Sequence, residues 1–241
     1  MISVEEFHES GAAVHFNEPI AAGSTVCVLD SSFNPPTYAH VKLGKLCQQQ
    51  YPGCVLIFSL AIGNVDKPTA SDKELNERVS MIEAMILSEF STLKDNVRLA
   101  LTTEVQFVKK ALALHTVLPT AQLVFAMGYD TLVRLGYQKY YDRPVSEVLS
   151  TFFDLCQVLV LTRASDSITK MPEVGDINSQ ANICGSVFDE FTNRICVKVS
   201  SADTQSVSSS RARTSKENLK KLTPKFVSEY AITNNVYNLD S

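Results

Sequence analysis

The sequence predicts an α/β fold, a doubly wound parallel sheet with helices on both faces, and three observations carry that reading. Short β-rich apolar runs alternate with longer helix-like stretches along the chain. Between the first two runs Leu43, Leu46, Cys47 and Gln50 recur at helical spacing, and Leu75, Val79, Ile82 and Ile86 do so in the next crossover, so two βαβ units are readable. The composition, 45% hydrophobic and 20% charged with nine Gly and nine Pro in 241 residues, suits a packed core and excludes a disordered or low-complexity chain.

The predicted strands are Val26–Asp30, Val55–Ser59, Val97–Leu101, Gln122–Ala126, Gln157–Thr162 and Ile195–Val199. Beyond the two crossovers, helices are expected at Glu104–Val117, Pro144–Phe153, Ser215–Leu222 and Pro224–Asn234, where Pro224 reads as a first-turn proline. Residues 1–24 show no clear period and read as an N-terminal strand or strap. The Ser-, Asp-, Asn-, Gly- and Pro-containing stretch 164–194 reads as a loop-rich insertion with one short helix at most. All of this fits one domain spanning 1–241.

The formal charge of −4 argues against bulk nucleic-acid binding. It is unevenly placed, because residues 200–225 hold six Lys or Arg against two Asp or Glu, a local excess suited to a small polyanion. No apolar run approaches the ~18–20 residues that cross a bilayer, and acidic Glu5 and Glu6 stand where a signal peptide needs basic residues. Six cysteines without a C-x-x-C pair read as reduced core thiols. The expected location is the cytoplasm, with the nucleus also open, and no membrane contact.

In a parallel α/β sheet, ligands bind beyond the carboxyl ends of the strands. The loop after the first strand, Ser31-Ser32-Phe33-Asn34-Pro35-Pro36-Thr37-Tyr38-Ala39-His40, runs directly into an amphipathic helix. Two prolines stiffen it, Thr37 suits the N-cap, and His40 falls three residues later beside the free amides and positive end of the helix. A phosphate there would meet N–H groups, a hydroxyl and an imidazole. His8, His15 and His115 sit in no such context. A second cluster, Val207-Ser208-Ser209-Ser210-Arg211-Ala212-Arg213-Thr214-Ser215, follows the last strand and opens another helical stretch, so it supplies the other jaw of a polyphosphate site. Neither G-x-x-x-x-G-K-[ST] nor G-x-G-x-x-G occurs, which argues against a P-loop NTPase or a dinucleotide-dependent dehydrogenase.

The loop Ser31 to His40 resembles the (H/T)-x-G-H signature of the nucleotidyltransferase superfamily, in the F-N-P-x-T-x-x-H form of the nicotinamide/nicotinate mononucleotide adenylyltransferases. Val207 to Arg213 resembles their I-S-S-T-x-x-R signature. Phe125 to Leu132 is similar to their strand followed by G-x-D-x-L, and Val160 to Arg163 to their strand ending in Arg. Leu222 to Tyr230, with Asn235-Val236-Tyr237, resembles their C-terminal segment. The D-S-S-F-N-P-P wording is nearest to the fungal promoter-of-filamentation branch. Ser31 stands where the family usually has Gly, Ala39 where it has Gly or Met, and no Trp is present to stack on a pyridine ring.

The resemblance implies a Rossmann-like nucleotidyltransferase that joins ATP to nicotinamide or nicotinate mononucleotide, forming NAD or its deamido form and pyrophosphate. His40 and Thr37 would be catalytic. Ser32 and Phe33, through backbone amides, with Lys67, Arg163, Ser209, Ser210 and Arg213, would hold phosphates. Ser31, Asn34, Gly128, Tyr129 and Asp130 would hold the mononucleotide or a ribose, and with no Trp present a Phe or Tyr, Tyr129 among the candidates, would have to supply the stacking face. Mg²⁺ would be carried mainly by substrate phosphates and water, with no ligand cluster from the protein. Another nucleotidyltransferase of cytidylyl or pantetheine type, or an ATP-binding regulator with little turnover, are the competing readings. Thr37, where those transferases usually have His, counts against the first.

Overall fold

The computed structural model describes residues 2–63, 70–162, 186–199 and 207–239. Strand β1 is Val14–Phe16, β2 Thr25–Asp30, β3 Val55–Ala61, β4 Val97–Thr102, β5 Gln122–Gly128, β6 Cys156–Thr162 and β7 Ile195–Val199. They form one sheet in the order β1-β4-β3-β2-β5-β6-β7, with β1 antiparallel to β4 and every other pair parallel. The six predicted strands are all present, extended at one or both ends in five cases. The chain moves outward from β2 through β3 to β4, then returns to the other side of β2 at β5. This reversal between β2 and β5 is the topological switch point, where a crevice opens beyond the strand ends.

Alternation along each central strand divides the core in two. Cys27 and Leu29 of β2, with Leu56, Phe58 and Leu60 of β3, face one layer; Val26, Val28, Val55 and Ile57 face the other. With both faces covered, these strands read as continuous apolar runs. The first layer is closed by α1 (Val4–Ser10), α2 (Tyr38–Gln50), α3 (Asp72–Glu89), α8 (Lys216–Leu222) and α9 (Lys225–Thr233). The second is closed by α4 (Phe107–Val117), α5 (Tyr129–Leu135), α6 (Val145–Leu155) and the 3-10 turn Ser186–Arg194. Before α8 stands the short α7 (Ser209–Ala212).

The N-terminal strap contains a helix that the sequence did not predict. In α1, Ser3 accepts the Glu6 amide as N-cap and Gly11 ends the helix at φ 62, a left-handed conformation that glycine adopts without a Cβ clash. The described part of the insertion, 186–194, is helical, and its Phe188 is fully buried; residues 163–185 lie outside the described residues.

Aromatic packing dominates the second layer. Phe125 meets Phe107 edge-on at 5.8 Å and Phe152 at 5.4 Å, and it has no exposed surface. Phe125→Ala is expected to lower stability by about 3–5 kcal/mol, the cost of a large cavity in a close-packed core, as measured by denaturant unfolding.

Candidate active site

The loop after β2 turns on unusual backbone. Phe33 has φ 41, a region costly for a residue with a Cβ, and the Asn34–Pro35 peptide is cis. Burial holds Phe33 there: its ring is fully enclosed, 5.0 Å from the His40 ring and 5.9 Å from Phe58. Residues far along the chain grip the carbonyl side of the same turn. Ser209 Oγ donates to Pro35 O at 2.8 Å, Arg213 donates to Asn34 O, and Tyr237 OH donates to Asn34 Oδ1 at 2.9 Å.

This fixed loop delivers Thr37 to the start of α2. The Thr37 N–H donates to His40 Nδ1 at 2.9 Å, and Thr37 Oγ1 lies 3.0 Å from the same nitrogen, closing a capping box with imidazole in the place usually held by Glu or Gln. An amide can only donate, so Nδ1 carries the lone pair and the ring proton is assigned to Nε2. Nε2 lies 3.1 Å from Ser31 Oγ, and the His40 side chain borders the crevice.

Two cavities open at the switch point. The smaller, about 260 Å³, is lined by Thr37, His40, Gly128, Asp130, Ser208 and Ser209, among others. The larger, about 320 Å³, takes in Ser32 and Asn34 from the loop, Arg78 from α3, Gln106, Phe107 and Lys110 at the start of α4, and Tyr140 and Tyr141. Asp30, Ser31, Thr131 and Arg134 line both. Gly128 has an ordinary φ of −74, and a Cβ there would touch nothing within 4 Å, so neither backbone nor packing demands glycine; the space it leaves belongs to the cavity.

Beneath both cavities lies a buried ion pair. Lys110 Nζ is 2.5 Å from Asp30 Oδ2, and Ser59 Oγ donates to Asp30 Oδ1 at 3.0 Å. Lys110 also stands 5.1 Å over the Phe107 ring. Such pairs bring little net stability, but removing one partner strands a charge, so the arrangement fixes the carboxylate firmly. Burial lowers the Arg78 pKa most, Glu74 and Tyr237 oppose that shift, and the neighbouring Arg213 adds to it.

Among the residues singled out in the sequence, Thr37, His40, Gly128, Asp130 and Ser209 line the smaller cavity, Ser32 and Asn34 the larger, and Ser31 both. Arg213 lines neither and instead holds the Asn34 carbonyl. Phe33 is fully buried and Ser210 is exposed, and neither lines a cavity. Tyr129, one candidate for the stacking face, packs into the second core layer because the phase of α5 turns it inward. Phe107, Tyr140 and Tyr141 are the aromatic walls instead. Lys67 and Arg163 lie outside the described residues. Sequence reasoning missed Asp30, Arg78, Gln106, Lys110 and Arg134, and it named Ser208 only as part of the second cluster, without a role of its own. Ser208 carried a signal, a serine before a helix start, and it accepts the Arg211 amide as N-cap.

Two solved structures of Plasmodium falciparum nicotinic acid mononucleotide adenylyltransferase, one complexed with NaAD and one with APC, superpose with a TM-score of 0.61 over 90% of this chain and 98% of theirs, at 17% and 16% identity. The fold is that of a mononucleotide adenylyltransferase. A Schizosaccharomyces pombe protein named for nicotinamide mononucleotide adenylyltransferase activity is 36% identical over 147 residues, 60% of this chain and 55% of that protein, so the chain matches just over half of that relative's length. A Geobacter protein named as a nicotinate-nucleotide adenylyltransferase is 22% identical over 70% of this chain and 73% of its own. No protein-family profile matches the chain.

Two outcomes follow from the geometry. Tyr237→Phe and Asn34→Ala, combined in a double-mutant cycle read by thermal unfolding, should show a coupling of about 0.5–1.5 kcal/mol; additive effects would mean the hydroxyl does not hold the loop. Burial pushes the Tyr141 phenol up to about 12 from its ordinary 10.0, and its OH donates to Leu135 O at 2.9 Å. A raised folded-state pKa favours the protonated form. The stability it carries is complete below pH ~10 and is lost as pH rises toward ~12. In alkaline melts, Tyr141→Phe should flatten that loss.

Proposed function

We propose that this protein transfers the adenylyl group of ATP to the 5′-phosphate of a pyridine mononucleotide, releasing pyrophosphate. One observation carries the reading: two cavities share Asp30, Ser31, Thr131 and Arg134 in their walls, and His40, which lines one of them, has its Nε2 3.1 Å from the shared Ser31. Two ligands held there have reacting groups at one place, and binding them in register supplies most of what a phosphoryl-type transfer needs. The names and fold of the similar proteins support the same assignment.

ATP takes the smaller cavity, with its ribose near Gly128 and Asp130 and its phosphates toward Ser208, Ser209 and the start of α2. The mononucleotide takes the larger cavity, with its phosphate at Ser31 and Ser32. An oxygen of that phosphate attacks the α-phosphorus of ATP, the bond from that phosphorus to the bridging oxygen breaks, and pyrophosphate leaves. His40 Nε2–H exchanges Ser31 for an α-phosphate oxygen and stabilises the charge that builds there. The Thr37 N–H keeps the ring in that tautomer. Arg213 acts through the loop, holding Asn34 O. Among the described residues, no group of three or more His, Cys, Asp or Glu is arranged to hold a metal. Mg²⁺ would arrive on the substrate phosphates, its remaining positions filled by water. No helix of the described residues is long and apolar enough to cross a membrane. The five described cysteines are free thiols, the state that a reducing compartment such as the cytoplasm or nucleus keeps.

The test is product formation. With Mg²⁺-ATP, the purified protein should convert nicotinamide mononucleotide to NAD, or nicotinate mononucleotide to deamido-NAD, with stoichiometric pyrophosphate. His40→Ala should stay folded and lose ~10²-fold or more in kcat/KM, the scale of one donor to transition-state charge. ATP binding without dinucleotide from either substrate would favour a regulator. Product from CTP or phosphopantetheine alone would favour another transferase.

A further inference from the structure

Resting on the adenylyl-transfer reading, we propose that Gln106 makes the mononucleotide cavity selective for a pyridine bearing a carboxamide over one bearing a carboxylate. The cavity has two ends. At one are Ser31, Ser32 and Asn34, next to His40, where the phosphate must lie to reach ATP. At the other are Val105, Gln106, Phe107, Tyr140 and Tyr141, an apolar and aromatic wall suited to a planar ring.

Of the charged lining residues, Arg78 belongs to the first end. Arg78 is electrostatically coupled to Arg213 and Tyr237, the two residues that grip Asn34. Lys110 is neutralised by Asp30 at the tip of β2. Arg134 stands where the two cavities join. Among the described residues, the side chains lining the ring end are themselves neutral, and the cations Lys110 and Lys139 sit over the Phe107 and Tyr140 rings. The Tyr141 hydroxyl is given to Leu135 O, and the Tyr140 hydroxyl can both donate and accept, so it does not discriminate.

Gln106 does discriminate, because its orientation is fixed. It is the N-cap residue of α4 yet makes no capping bond; its Nε2 donates instead to Tyr140 O at 2.7 Å. A carbonyl oxygen only accepts, so the amide nitrogen must face Tyr140, which leaves Oε1 as the outstanding acceptor of a side chain that lines the cavity. Among the described residues no donor reaches Oε1. A carboxamide offers that oxygen an N–H. A carboxylate offers it another acceptor, and two oxygens facing each other without a proton leave both unpaired.

The experiment compares kcat/KM for nicotinamide and nicotinate mononucleotide in the wild-type protein and in two variants, with direct calorimetric titration of each mononucleotide. The wild type should favour the amide by about tenfold or more in both measurements. Gln106→Leu should lose the preference while ATP KM stays unchanged. Gln106→Arg keeps a donor for Tyr140 O and replaces the acceptor, so it should favour the acid. A wild-type preference for the acid, or a ratio that neither variant moves, overturns the assignment to Gln106 even if dinucleotide forms. If no dinucleotide forms but titration shows the amide preference and its loss in Gln106→Leu, the adenylyl-transfer reading fails and the Gln106 reading stands on binding.

Discussion

The geometry of the site hangs on how the turn at Asn34 and Pro35 is held. Its donors come from Ser209, Arg213 and Tyr237, residues 174 to 203 positions away in sequence. Such contacts form only when the last helices have docked on α3 and the sheet. The C-terminal segment is thus a clamp on the first loop as much as a wall of the core. Its reward is local: Phe33 accepts a left-handed backbone, Thr37 arrives at the helix start, and one imidazole is fixed in both orientation and tautomer.

The sheet places everything else. Reversal of strand order between β2 and β5 leaves a crevice at their carboxyl ends, and α2, α4 and α5 all begin there, so their first residues form its rim. At its base the Asp30–Lys110 pair ties the tip of β2 to α4. The pair is a positioning element, since buried pairs of this kind commonly bring less stability than apolar replacements would. Asp30 borders both cavities, which makes it the fixed point against which two ligands would be set.

Much of this was legible in sequence for physical reasons. Strands buried on both faces leave unbroken apolar runs, so all six parallel strands could be read. The loop from Ser31 to His40 was legible because prolines, an N-cap and a histidine at fixed offsets have few other uses. α1 was missed because seven residues burying only Val4 and Phe7 carry almost no period, although Ser3 and Gly11 marked both its ends. Lys110 follows Lys109 in a helical pattern and reads as solvated surface, yet it is 4% exposed. Gln106 fell within the helix expected at Glu104–Val117 and looked like any polar residue of a first turn; the helix begins one residue after it. Tyr129 was the opposite case, since composition required an aromatic wall but only helix phase could say which ring supplies it. Partners fixed by tertiary approach, as Asp30 and Lys110 are, leave no local trace.

The central claim is that His40, held by the clamped loop, meets the α-phosphate where the two cavities join. A crystal structure with a non-hydrolysable ATP analogue and mononucleotide tests this most directly. The account predicts an α-phosphate oxygen within ~3 Å of His40 Nε2, the Ser31 contact given up, and the mononucleotide ring between Phe107 and the Tyr140–Tyr141 wall. A triphosphate bound elsewhere, with Ser31 Oγ still on Nε2, would contradict it.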